Sequence, residues 1–120
     1  MENKILFVDD DANLLASYER QLRKQFPIET SLGVKEGLVA IKERSPYAVV
    51  VSDLRMPEMD GIQFLSKVRE ITPDTVRMML TGYADLQNTI DAVNEGNIFR
   101  FLTKPCSPET LVKSLSAGIG

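Results

Sequence analysis

The sequence predicts an α/β fold, a doubly wound parallel sheet of five strands in the order 2-1-3-4-5 forming a single domain. Three observations carry that prediction. A short β-rich run followed by an amphipathic segment recurs five times along the chain. The run Val49-Val50-Val51 is apolar on both faces, which suits a central strand covered by helices above and below. By contrast, Ile28-Glu29-Thr30-Ser31 is too polar to be buried twice, which sends the second strand to an edge.

Each element has its own signal. Lys4 to Val8 reads as the first strand, and Leu14, Leu15, Tyr18 and Leu22 follow it at helical spacing. Ile28 to Leu32 precedes a helix marked by Leu38 and Ile41, and Ala48 to Asp53 precedes one marked by Phe64, Leu65 and Val68. Thr75 to Leu80 leads to Leu86, Ile90 and Val93, and Ile98 to Leu102 leads to Leu111, Val112 and Leu115. Pro27, Pro46 and Pro73 fall in the joins before strands. Ser107-Pro108-Glu109 supplies an N-cap, a proline at the first helical position and an acid in the first turn. Asp11, Asp60 and Asp85 read as further N-caps. Crossovers between parallel strands are right-handed, so helices on both faces follow from the alternation.

Composition limits what such a domain does. With 120 residues, 43% of them hydrophobic, residues 1 to 120 read as one compact domain with no linker or low-complexity tract. The closing Ser116-Ala117-Gly118-Ile119-Gly120 reads as a fraying helix end or the place where a longer protein was cut. A net charge of -3 offers no electrostatic reason to grip nucleic acid or an anionic membrane directly. No apolar run approaches the ~20 residues needed to span a bilayer, and Met1-Glu2-Asn3-Lys4 lacks the form of a signal peptide. A cytoplasmic location is the expectation. Cys106 is the only cysteine and histidine is absent, which excludes an intrachain disulfide, a Cys/His zinc site and a Ser-His-Asp triad. Any phosphohistidine must come from another protein.

The chemistry gathers at the strand ends. In an open α/β sheet ligands bind beyond the carboxyl ends of the strands, where the winding direction reverses, here between strands 1 and 3. Asp9 and Asp10 end strand 1, and Asp53 ends strand 3 about 4.8 Å away across one ladder spacing. Three carboxylates that close repel one another, and a hard divalent cation such as Mg²⁺ relieves them. Lys104 follows strand 5, ~10 Å of sheet from Asp53, on a stem long enough to lean back over the acids. Thr81 follows strand 4 and adds a hydroxyl. Aspartate can act as an oxygen nucleophile toward phosphorus, and phosphoryl transfer asks chiefly for positioning and charge neutralisation.

The stretches Ile5-Leu6-Phe7-Val8-Asp9-Asp10-Asp11, Val51-Ser52-Asp53-Leu54-Arg55-Met56-Pro57-Glu58-Met59-Asp60-Gly61, Leu80-Thr81-Gly82-Tyr83-Ala84 and Phe101-Leu102-Thr103-Lys104-Pro105 resemble the receiver domain of two-component response regulators. The resemblance spans essentially the whole chain and implies a flavodoxin-like (βα)5 fold. It also implies that Asp53 is the phosphorylated residue and a ligand of Mg²⁺ (or Mn²⁺), that Asp10 ligates the cation directly and Asp9 chiefly through water, and that the Arg55 backbone carbonyl adds a ligand. Thr81 and Lys104 would hold the phosphoryl group, with the bond before Pro105 cis. Phe101 would be the aromatic that rotates as Thr81 moves; it is not the frequent tyrosine, so the switch would be steric and hydrophobic. Arg55 and Tyr83 would flank the site and govern water access to the acyl phosphate.

The implied function is signalling rather than enzymatic turnover: a sensor histidine kinase or phosphotransfer protein donates to Asp53, and slow self-dephosphorylation resets it. The implied output and homodimer surface is the fourth helix, fifth strand and fifth helix, roughly Ala84 to Ala117. The run from Thr81 through Cys106 is similar to receivers joined to HD-type phosphodiesterases or ATPase transcription activators. Other readings fit less well. Aspartate phosphatases commonly carry a second acid two residues after the nucleophile, where this chain has Arg55. A flavodoxin-type cofactor binder needs a phosphate loop after strand 1, where Asp9-Asp10-Asp11 repels phosphate. A receiver fold serving only as an interaction module is the remaining alternative. Taken singly, Lys104 reads as a solvated lysine, Phe101, Cys106, Met78 and Met79 as core, and Met56 and Met59 as loop filler.

Overall fold

A computed structural model describes residues 3–82, 98, 100–104 and 106–119. The elements in chain order are β1 (Ile5–Asp9), α1 (Ala12–Leu22), β2 (Ile28–Leu32), α2 (Gly33–Arg44), β3 (Val49–Asp53), α3 (Gly61–Ile71), β4 (Val76–Gly82), β5 (Arg100–Lys104) and the C-terminal helix α4 (Pro108–Ile119). The strands form one parallel sheet in the order β2-β1-β3-β4-β5. The expected α/β order is therefore observed, with polar β2 at an edge and the Val49-Val50-Val51 strand at the centre. The expected helix around Leu86, Ile90 and Val93, like Tyr83, Asp85 and Pro105, lies outside the described residues.

Alternation along the strands divides the core into two layers. Leu6, Val8, Val50 and Met79 point to one face, where Ile41 of α2 and Phe64 and Val68 of α3 cover them. Ile5, Phe7, Val49, Val51, Met78 and Leu80 point to the other, under Leu15 and Leu22 of α1 and Leu111 and Leu115 of α4. Each such fully buried side chain is worth about 1.5–3 kcal/mol over leaving it in water. Arg77 interrupts the apolar run of β4 yet is only 4% exposed; its guanidinium donates to the Pro73 and Thr75 carbonyls at 3.3 and 3.0 Å.

Capping follows the sequence. The Asp11 carboxylate accepts from the Asn13 and Leu14 amides at 2.9 and 3.2 Å, and Asp60 accepts from Gln63 at 2.9 Å. Ser107 Oγ accepts from the Thr110 amide at 3.2 Å ahead of α4. Helix α2 differs: Leu32 precedes it without a side-chain cap, and Gly33 at φ +86 turns the chain directly out of β2.

The strands end later than their hydrophobic pattern. β1 takes in Asp9, β4 takes in Thr81 and Gly82, and β5 runs on to Lys104, two residues past the apolar Leu102. The ladder explains this. Asp9 pairs with Leu32, Thr81 with Thr103 and Gly82 with Lys104. Backbone hydrogen bonding is indifferent to side-chain polarity, so it continues where core burial stops. Asp9, Asp53, Thr81 and Lys104 are thus held by the sheet itself, with Asp10 one residue past β1.

Candidate functional site

Asp9 closes β1 with only 3% of its surface exposed. One carboxylate oxygen, Oδ1, accepts from the Asp11 amide at 3.0 Å. The other, Oδ2, accepts from Lys104 Nζ at 3.1 Å, and the same ammonium stands 3.1 Å from Asp53 Oδ1. Lys104 therefore bridges acids from the first and third strands by reaching back across β4. Asp10 is exposed beside them, and one oxygen from each of Asp9, Asp10 and Asp53 lies within 4.8 Å of the others.

Asp9 is electrostatically frustrated. Burial pushes the Asp9 carboxyl above its usual range, and the Asp53 charge pushes it further against the pull of Lys104 and the Asp11 amide. For Lys104, burial acts to lower the ammonium's pKa, but the hydrogen bonds and charges of Asp9 and Asp53 outweigh it and the net shift is upward. Tyr18 on α1 stacks on Phe7 with ring centroids 4.9 Å apart, and burial takes its phenol up to about 12.

This donor set suits a hard cation. Three carboxylates offer only oxygen, and exposed Asp10 leaves one side open to the waters that Mg²⁺ retains. With one oxygen from each of the three within 4.8 Å of the others, modest rotation of the carboxylates would let them hold such a cation.

The other expected site residues fall around this centre. Thr81 is 1% exposed in β4, one residue beyond Leu80, the ladder partner of Asp53. Phe101 is half-buried, pairs with Met79 and packs against the layer under α2 and α3. Arg55 is exposed two residues after Asp53. Tyr83 and the peptide bond before Pro105 lie outside the described residues.

Two residues beside the site were not singled out from sequence. Gly61 opens α3 against the end of β3: its amide donates to the Leu54 carbonyl at 2.7 Å, and a Cβ there would strike the Asp53 carbonyl oxygen. Glycine in the Asp60-Gly61 pair was the available signal, but its close neighbour is set by tertiary packing. Glu58 stands at φ 74 in the β3–α3 loop, a conformation that no local feature of glutamate announces.

Residues 5–116 match the profile of the response regulator receiver domain. The chain is 32% identical over 119 residues to the hydrogenase transcriptional regulatory protein HoxA of Bradyrhizobium diazoefficiens, covering 99% of this chain and 24% of HoxA. It thus spans about a quarter of that relative's length. Among solved structures, one described as adenylate cyclase from Rhodopirellula baltica is similar with a TM-score of 0.93 and 42% identity, over 99% of this chain and 88% of that one. The signal receiver domain of an HD domain-containing protein from Pseudomonas fluorescens Pf-5 is similar with a TM-score of 0.90 and 28% identity, over 98% and 87%.

Proposed function

This chain belongs to the response regulator receiver domain family, and on that premise we propose that Asp53 is the phosphoacceptor of a two-component signalling pathway. The observation that carries the reading is the Lys104 ammonium, 3.1 Å from an oxygen of Asp53 and 3.1 Å from Asp9. It already stands where the negative charge of an arriving phosphoryl group would gather.

In the proposed step an Asp53 carboxylate oxygen attacks the phosphorus of a phosphohistidine on a sensor histidine kinase or phosphotransfer protein. The O–P bond forms as the N–P bond breaks, and the departing imidazole takes up a proton. Asp9, Asp10, Asp53 and the Arg55 carbonyl would hold Mg²⁺ or Mn²⁺. When bound, that cation supplies neutralisation of the phosphoryl oxygens. Lys104 pairs with the product acyl phosphate and the Thr81 hydroxyl bonds it. Thr81 leaves space behind it, and Phe101, half-buried and two ladder positions upstream of Thr103, rotates to fill it. Arg55 and Tyr83 restrict water, so that self-dephosphorylation is slow.

The message then passes through the surface spanning Ala84 to Ala117 to an output domain or partner, with homodimerisation through the same surface. HD-type phosphodiesterases and ATPase activators are the output classes proposed, in a cytoplasmic setting. No described helix is long and apolar enough to cross a membrane.

Incubating the protein with acetyl phosphate, with and without Mg²⁺, and weighing it intact tests the reading. The expected result is a cation-dependent gain of one phosphoryl group that Asp53→Asn abolishes. No gain under any condition would favour a role as an interaction module alone.

A further inference from the structure

A pocket of about 220 Å³ opens beside Asp10, between the β3–α3 loop on one side, at Pro57 and Glu58, and the start of α2 on the other, at Gly33 and Lys35. Lys35 Nζ stands 3.7 Å from Glu58 Oε1, so an ion pair spans the pocket from wall to wall. Among the described residues Glu58 is the non-glycine residue with a positive φ, 74°. That conformation is strained for a residue with a Cβ, and glycine would adopt it freely. The ion pair does little to offset the strain in folding, because its side chains are 84% and 61% exposed. The Met59 amide donates to the Pro57 carbonyl at 2.9 Å and closes a tight turn around Glu58, and residues held in such conformations concentrate at functional sites.

We propose that Glu58 is a positioning residue for the cation-binding acids: paired with Lys35, it straps the loop that carries Arg55 to the first turn of α2 and holds that loop beside Asp10. The loop is also tied down by buried Leu54 and Met56 and by the Gly61 amide, which donates to the Leu54 carbonyl at 2.7 Å. On its solvent-facing side the Lys35–Glu58 pair joins it to the first turn of α2. This inference rests on the reading of Asp9, Asp10, Asp53 and the Arg55 carbonyl as the cation holders.

Charge alone and strapping predict opposite signs for one variant. Through-space electrostatics makes Lys35→Ala bind Mg²⁺ more tightly, since a positive charge leaves the neighbourhood of the acids. The strap makes it bind more weakly. Titration calorimetry with Mg²⁺ should find Lys35→Ala and Glu58→Asn each weakened about 2–5-fold, the coupling of an exposed ion pair. Asparagine tolerates the same φ without the charge, and the double variant should be no weaker than either single one. In the metal-free protein, both variants should speed amide hydrogen exchange at Met59. Unchanged or tighter Mg²⁺ binding by Lys35→Ala, or unchanged exchange at Met59, would overturn the strap while leaving the acids' role intact. Failure of the unaltered chain to bind Mg²⁺ would overturn both.

Discussion

Strand β1 carries a charged cluster at each end, and the two clusters treat their carboxylates in opposite ways. At the N-terminal end Glu29 is surrounded by donors: Tyr47 Oη gives it a 2.6 Å hydrogen bond, Arg44 Nε lies at 3.3 Å and Lys4 Nζ at 3.5 Å. Lys4 also donates to the Arg44 carbonyl at 2.6 Å and sits 4.6 Å over the Tyr47 ring. Burial acts to raise the Glu29 carboxyl, but the Tyr47 hydrogen bond, the Lys4 charge and Arg44 outweigh it and hold it below the usual 4.5. At the C-terminal end three acids converge and Lys104 bridges two of them, leaving Asp9 pushed upward. One end satisfies its charge within the fold. The other retains a surplus of negative charge, which is the condition for accepting a cation.

The largest expected effect breaks the C-terminal end through its backbone. Gly61→Ala places a Cβ against the Asp53 carbonyl, and backbone cannot rotate aside as a side-chain tip can. Overpacking of this kind costs about 2 kcal/mol, read as an earlier urea midpoint, together with slower phosphorylation of Asp53. A variant that unfolds with its parent and phosphorylates normally would show that α3 yields there without disturbing Asp53.

Next in size is a gain. Asp9→Asn removes the frustrated carboxylate while Lys104 keeps Asp53, so the metal-free protein should become more stable, on the order of 1 kcal/mol. The pH dependence has a definite sign. The folded pKa of Asp9 lies above 3.8, so its charged form is penalised at neutral pH and stability is recovered as pH falls through that raised value. The advantage of Asp9→Asn should therefore shrink on acidification. An advantage independent of pH would mean that repulsion at the acid cluster is not its source.

The smallest effect sharpens the contrast at the other end. Tyr47→Phe deletes one hydrogen bond to Glu29, which keeps Lys4 and Arg44 and is one-third exposed, so the loss should be only about 0.5 kcal/mol. Glu29 has a depressed folded pKa, so its contribution is present above 4.5 and is lost as pH falls through the lower folded value. Thermal unfolding at neutral and acidic pH should show Tyr47→Phe converging on its parent in acid, opposite in sign to the Asp9→Asn comparison.

Some of this was legible from residue order because it depends on patterns along one segment. The polarity of Ile28-Glu29-Thr30-Ser31 placed β2 at the edge, and apolar runs placed β3 at the centre. Once the strand order was set, Asp9, Asp10 and Asp53 had to converge, because adjacent parallel strands end together. Strand ends were misjudged by one or two residues, since hydrophobicity reports burial whereas the ladder reports backbone pairing.

What only tertiary structure decided involves residues distant in sequence or conformations foreign to the residue that holds them. Lys4, Glu29, Arg44 and Tyr47 come from separate elements, and no spacing rule unites them. Lys35 and Glu58 meet because the β3–α3 loop turns through a left-handed residue beside α2. That Lys104 would reach the acids could be argued from its stem, but its simultaneous hold on Asp9 and Asp53 required both carboxylates to be oriented by the fold. Residue order specified which charges reach the sheet's edge, because alternation and ladder spacing are local rules. Packing decided how those charges pair, because pairing depends on distances between chain segments.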